Sequence, residues 1–179
     1  MMQGGGGNDV YFVDNAGDQI VDTGGTDVVY ASASFTLGAN SGIDRVVATG
    51  NVAFLNGNGF DNILLGTLGK NTMNGGAGND KIYGKGGKDV LTGGSGADWF
   101  VFDTKLSKSN TDTIKDFKVK TDKVVLENAL FSSNKDFFSK IKKGTPEKAV
   151  SLSKAFFTIG EQAKDKDDYL VYNKKAGIL

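Results

Sequence analysis

The sequence contains no cysteine, no histidine and a single proline in 179 residues. Without cysteine there is no disulfide, thiolate zinc site or thiol nucleophile, and without histidine there is no Ser-His or Cys-His relay and no imidazole metal ligand. Most hydrolase chemistry is thereby excluded, and the chain is expected not to be an enzyme. The missing cysteine removes the disulfide argument for secretion without fixing the compartment. No apolar run nears the roughly 18 residues that span a bilayer. Met1-Met2-Gln3 leads straight into glycines, without the charged start and apolar stretch of a signal peptide. A soluble chain is expected, any export signal lying elsewhere or having been removed. Excess charge is absent too: Lys plus Arg and Asp plus Glu both number 21, so no global field draws the chain to nucleic acid or an anionic membrane.

What is present is divided unevenly. Residues 1–101 hold 23 of the 26 glycines, ten acidic and five basic residues. Residues 102–179 hold three glycines, eleven acidic residues, sixteen lysines and most of the phenylalanines. The expected division is therefore a glycine-rich unit over 1–101 and a capping segment over 102–179.

The glycines are periodic, which a flexible linker has no reason to be. Residues 66–101 parse into four nonapeptides, GTLGKNTMN, GGAGNDKIY, GKGGKDVLT and GGSGADWFV. Glycine takes the first and fourth places, Asn71, Asp80, Asp89 and Asp98 the sixth, and Met73, Ile82, Leu91 and Phe100 the eighth. Carried backwards with one slip near Thr36, the eighth place falls on Leu64, Leu55, Val46, Leu37, Val29, Ile20 and Tyr11, so all eleven positions are apolar. Nine residues suit a short strand and a glycine turn, with the eighth side chain inward and its neighbours outward. Two such units close one coil, which predicts a mainly all-β chain built as a parallel β-solenoid.

Alternate repeats then share an edge. One edge receives Asp9, Asp27, Asp44, Asn62, Asp80 and Asp98; the other receives Asp18, Asn71 and Asp89. Stacked carboxylates repel one another and call for cations between them. The available ligands are hard oxygens on a backbone able to wrap an ion, which is a calcium environment more than a magnesium or transition-metal one.

GGAGNDKIY, GGSGADWFV and GGGGNDVYF resemble the repeats-in-toxin (RTX) nonapeptide G-G-x-G-x-D-x-U-x, and FVFDTKLSKSNTDTIKDFKVKTDKVVL resembles the segment that closes the roll in serralysin-type proteases. The resemblance implies a right-handed parallel β-roll with a mixed β/α C-terminal cap and several bound calcium ions. It implies ions held between repeats n and n+2 by turn carbonyls and two aspartates. The first site so implied uses Gly76, Gly78 and Asp80 with Gly93, Ser95 and Asp98. A second uses Thr67, Gly69 and Asn71 with Gly84, Gly86 and Asp89, and a third Gly5, Gly7 and Asp9 with Asp22, Gly24 and Asp27. Asp89 is expected to share a last ion with Asp112 or Asp116. The implied function is a calcium-binding module of a secreted or cell-surface bacterial protein, exported unfolded through type I secretion machinery and folded by extracellular calcium. A calcium-stabilised adhesive or surface-layer module recognising glycan or another protein stays open.

In the second half, Thr111 to Phe117, Asp122 to Leu126 and Asp168 to Asn173 read as strands, and Phe131, Phe137, Phe138 and Ile141 have helical spacing, followed by Leu152, Phe156, Phe157 and Ile159. The lysines beside Phe137 read as a solvated face. Asp165, Asp167 and Asp168 lack the glycine of an EF-hand loop, and Leu68-Gly69-Lys70-Asn71 lacks the Ser or Thr of a P-loop. Ile178 and Leu179 begin a strand that stops at once, so a fragment of a longer chain is expected.

Overall fold

Glycine turns every nine residues force the chain back on itself, and short runs such as Lys81-Ile-Tyr are just long enough to cross one face. In the computed structural model, which describes residues 1–104 and 109–127 together with the backbone of 157–159 and 170–172, this gives a parallel β-solenoid of about six turns. Strands are numbered in chain order. A two-stranded sheet pairs β1 (Met2–Gly6) with β3 (Ile20–Gly24). A seven-stranded sheet stacks β2 (Val10–Val13), β4 (Val28–Ala31), β6 (Arg45–Ala48), β8 (Ile63–Leu65), β10 (Lys81–Tyr83), β12 (Trp99–Phe102) and β14 (Lys123–Leu126). Opposite it, a five-stranded sheet stacks β5 (Phe35–Thr36), β7 (Phe54–Asn56), β9 (Thr72–Ala77), β11 (Val90–Ser95) and β13 (Thr113–Ile114). Every pairing is parallel, and no helix occurs among the described residues.

The core lies between the two large sheets and is one side chain thick. All eleven eighth-place residues are buried, with Val29, Leu55, Leu64, Met73, Ile82 and Phe100 fully so. Ile82 stands between Leu64 and Phe100, and Met73 between Leu55 and Leu91, each step being 18 residues. The ladders run on beyond Val101: Phe100 pairs with Val124 and Leu91 with Ile114, steps of 24 and 23 residues.

The slip in the repeat is resolved differently from the arithmetic. Phe35, not Leu37, stands opposite Leu55, while Val29 faces Val46, so one step is 20 residues and the other 17. Both Phe35 and Leu37 are buried. The loop that follows leaves the ladder, with the Gly42 N–H donating to the Asp22 carbonyl. A cleft of about 530 Å³ opens between residues 16–21 and 36–41, where a rung of the five-stranded sheet is missing.

The strand expected over Thr111 to Phe117 is confined to β13, and that over Asp122 to Leu126 is β14. Separately, β15 (Phe157–Ile159) pairs in parallel with β16 (Leu170–Tyr172). The second lies within the strand read at Asp168 to Asn173, whereas Phe131, Phe137, Phe138, Ile141, Asp165, Asp167 and Asp168 fall outside the described residues.

Candidate metal centres

The turns that end in Asp80 and Asp98 owe their shape to glycines at the second and fourth places. Gly76 (φ 107°) and Gly94 (φ 99°) occupy a backbone region open mainly to glycine. Their stacking is too close for any side chain: a Cβ on Gly94 would overlap the Gly76 carbonyl oxygen, and one on Gly96 the Gly78 oxygen. The carbonyls of Gly76 and Gly78 therefore face the turn that ends in Asp98. In return, the Gly93 oxygen lies only 2.6 Å from where a Cβ on Gly75 would stand, beside Asp80 Oδ2. Five of the six residues implied for the first site thus converge on one inter-turn space, and Ser95 lies opposite Ala77 in the same ladder.

Sixth-place side chains form a second ladder along each edge. The N–H of Asp80 donates to Asp98 Oδ1 at 3.0 Å, that of Asn62 to Asp80 Oδ1 at 2.7 Å, and that of Asp9 to Asp27 Oδ1 at 2.8 Å. On the opposite edge, Asn71 N–H donates to Asp89 Oδ1 at 2.7 Å and Asp89 N–H to Asp112 Oδ1 at 2.9 Å. Asp27, Asp80, Asp89 and Asp98 each spend Oδ1 on a neighbouring coil. Their Oδ2 atoms, and that of Asp9, are buried without a hydrogen-bond partner. A buried carboxylate oxygen left bare costs far too much to persist in five copies, so the arrangement fits a cation whose ligands these oxygens are.

A family model for the RTX calcium-binding nonapeptide repeat, in four copies, matches residues 56–91 and again 65–100. The chain carries RTX calcium-binding repeats. A search of curated proteins found no match. The matched stretch runs from the end of β7 into β12, and the parallel solenoid continues on both sides of it.

The RTX turns are not equivalent. Asn71 Oδ1 accepts the Thr67 N–H at 2.8 Å while its Nδ2 donates to the Val52 carbonyl; Asn62 does likewise with Asn58 and Ile43. Both asparagines are satisfied by the protein. In the second implied site the Thr67 carbonyl also accepts the Gly86 N–H at 3.0 Å, leaving Asp89 Oδ2 as its one bare carboxylate oxygen; the Gly84 and Gly69 carbonyls face the turns they were assigned to. Asp112 meets Asp89, their Oδ2 atoms converging on Gly84. Asp116 is instead placed against the next turn, its two oxygens accepting the Gly93 and Gly94 N–H groups at 2.9 and 2.7 Å.

The third site brings Asp9, Asp22 and Asp27 together, with ligand oxygens all within 4.8 Å of one another. Asp22 enters through its carboxylate, since its carbonyl accepts the Gly42 N–H; the Gly5 and Gly24 carbonyls accept from Thr23 Oγ1 and the Gly7 N–H, and the Gly7 carbonyl abuts Gly25. The sequence reading missed Asp122, whose Oδ1 receives the Asp98 N–H at 3.2 Å as the next rung. Its signal was the D-x-U-x pattern Asp122-Lys-Val-Val, displaced from the 18-residue step to 24.

Electrostatics follow from this crowding. Burial raises the Asp80 carboxyl from 3.8 to about 7; the Asn62 amide opposes this, and Asp98 and Asp61 add to it. Burial likewise raises Asp27, Asp89, Asp98 and Asp112. Asp22 is the exception: burial pushes it up, but hydrogen bonds from Tyr11, Gly24 and Thr23 outweigh that and hold it low.

Proposed function

We propose that the chain is a non-enzymatic calcium-binding module of a secreted protein, unfolded at cytosolic calcium and folded where calcium is abundant. The supporting observation is the set of five buried, partnerless Oδ2 atoms along two edges. An ion would be held by Asp80 and Asp98 with the Gly76, Gly78, Gly93 and Ser95 carbonyls, and a second by Asp89 and Asp112 beside Gly84. Calcium supplies the positive charge that lets these carboxylates stack; the chain supplies the oxygens, the glycine turns and the apolar file of eighth-place residues. Sites absent from the unfolded chain make binding free energy into folding free energy. Extracellular calcium modules bind at about 10⁻⁴–10⁻³ M, so type I export of an unfolded chain and folding outside the cell follow from one switch.

Far-UV circular dichroism during a calcium titration tests this, with Trp99 fluorescence as a second probe beside the Asp98 turn. A β spectrum is expected to appear cooperatively with calcium. The Asp80→Ala variant is expected to raise the midpoint several-fold. A full β spectrum in chelator at pH 8 contradicts the switch, and an unmoved midpoint in the variant removes the Asp80–Asp98 site.

A further inference from the structure

The N-terminal turn departs from the four regular repeats of 66–101 at two places. At the first place, where later repeats carry Gly66, Gly75, Gly84 and Gly93, it has Asp22; at the eighth, where they carry Met73, Ile82, Leu91 and Phe100, the preceding coil has Tyr11. The two departures are coupled. The buried Tyr11 hydroxyl donates to Asp22 Oδ2, and the Gly24 N–H donates to Asp22 Oδ1 at 3.1 Å, so a fully buried third carboxylate is held beside Asp9 and Asp27. Above it, a Cβ on Gly4 would overlap Tyr11 Oη and Asp9 Oδ2 and lie 2.6 Å from Asp22 Oδ2, so these oxygens converge on bare backbone. Within the cluster, Asp27 is fully buried and its Oδ2 has no partner.

Resting on the calcium-binding reading, we infer that Asp22 is a specificity-determining ligand, which makes this turn the first of the array to fill and biases it toward trivalent over divalent cations. The attraction of a cation scales with the product of charges, and carboxylate count is how oxygen sites move affinity across decades. Three carboxylates face this space, against two at Asp80 and Asp98. Each gives a trivalent ion half as much attraction again as a divalent one, so the third carboxylate widens the preference. Tyr11 positions Asp22 and places a phenol ring against the site.

The test is titration of the full, calcium-free chain with terbium(III), exciting the aromatic residues and reading terbium emission, with calcium competition alongside. The first equivalent is expected to bind at least tenfold more tightly than the rest, and its sensitised emission to vanish in Tyr11→Phe. Asp22→Asn is expected to weaken that equivalent at least tenfold and leave unmoved the phase that Asp98→Asn removes. Asp22→Gly, which restores the residue of the later repeats, should do the same. A first equivalent insensitive to both Asp22 variants, one lost in Asp98→Asn instead, or one whose emission survives Tyr11→Phe overturns the inference while leaving calcium-driven folding intact. A chain that takes up neither ion defeats the functional reading as well.

Discussion

Stripped of calcium and moved from pH 8 to pH 5, the chain is expected to gain β structure, the reverse of ordinary acid denaturation. In most proteins carboxylates are paired in the fold and lie below their unfolded values, so acid removes stability. Here the interior carboxylates face one another, and burial raises Asp80 to about 7, with Asp27, Asp89, Asp98 and Asp112 raised too. The folded state therefore binds more protons than the unfolded chain between pH about 4 and 7. Stability from these groups is fully present below the unfolded value of 3.8 and is lost as pH rises through the folded value. Asp22, held low, works the other way and loses its contribution only in stronger acid. Protons thus stand in for the missing cations. The far-UV β signal of the calcium-free chain at pH 5, 6, 7 and 8 should fall with rising pH, and a signal that climbs from pH 5 to 8 contradicts this. Because the same oxygens must be ionised to hold calcium, the calcium midpoint should rise as pH drops below 7, so the two ligands compete.

The features legible in the sequence are those that repeat. Eleven apolar residues at nearly fixed spacing gave the inward file, and the sixth-place acids gave the two columns, because a parallel ladder turns sequence period directly into neighbours in space. Local departures from the period were not legible. Spacing alone cannot say whether Phe35 or Leu37 enters the ladder, since both are apolar and both end up buried. It cannot distinguish an asparagine that faces an ion from Asn62 and Asn71, whose amides are consumed by turn and neighbouring coil. The glycine-based motif places Asp22 in the third site by position alone, and does not register its side chain, which Tyr11, eleven residues earlier, holds through its hydroxyl. Asp122 was hidden because the step that reaches it is 24 residues long where the earlier ones are 18.

Replacing Gly75 by alanine is expected to abolish calcium-induced folding of the repeats around it, although nothing about the Gly75 backbone requires glycine. Its φ is not in the left-handed region, so the usual argument from backbone strain does not apply. The added methyl would overlap Asp80 Oδ2 and stand 2.6 Å from the Gly93 carbonyl oxygen, within the gap that an ion's ligands enclose. Neither neighbour is free to yield: the Gly93 oxygen belongs to backbone stacked between coils, and Asp80 is fixed through its Oδ1 by the Asn62 N–H. Gly59 is the matched control, with nothing within 4 Å of a Cβ and no left-handed φ. There alanine restricts the unfolded chain and should leave the fold unchanged or more stable by about 0.4–1 kcal/mol. The two variants carry the same chemical change in the same half of the molecule, so their calcium midpoints separate loss of the cradle from any general effect on the turns. A Gly75→Ala midpoint within a factor of two of that of Gly59→Ala would show that the space beside Asp80 holds no ion.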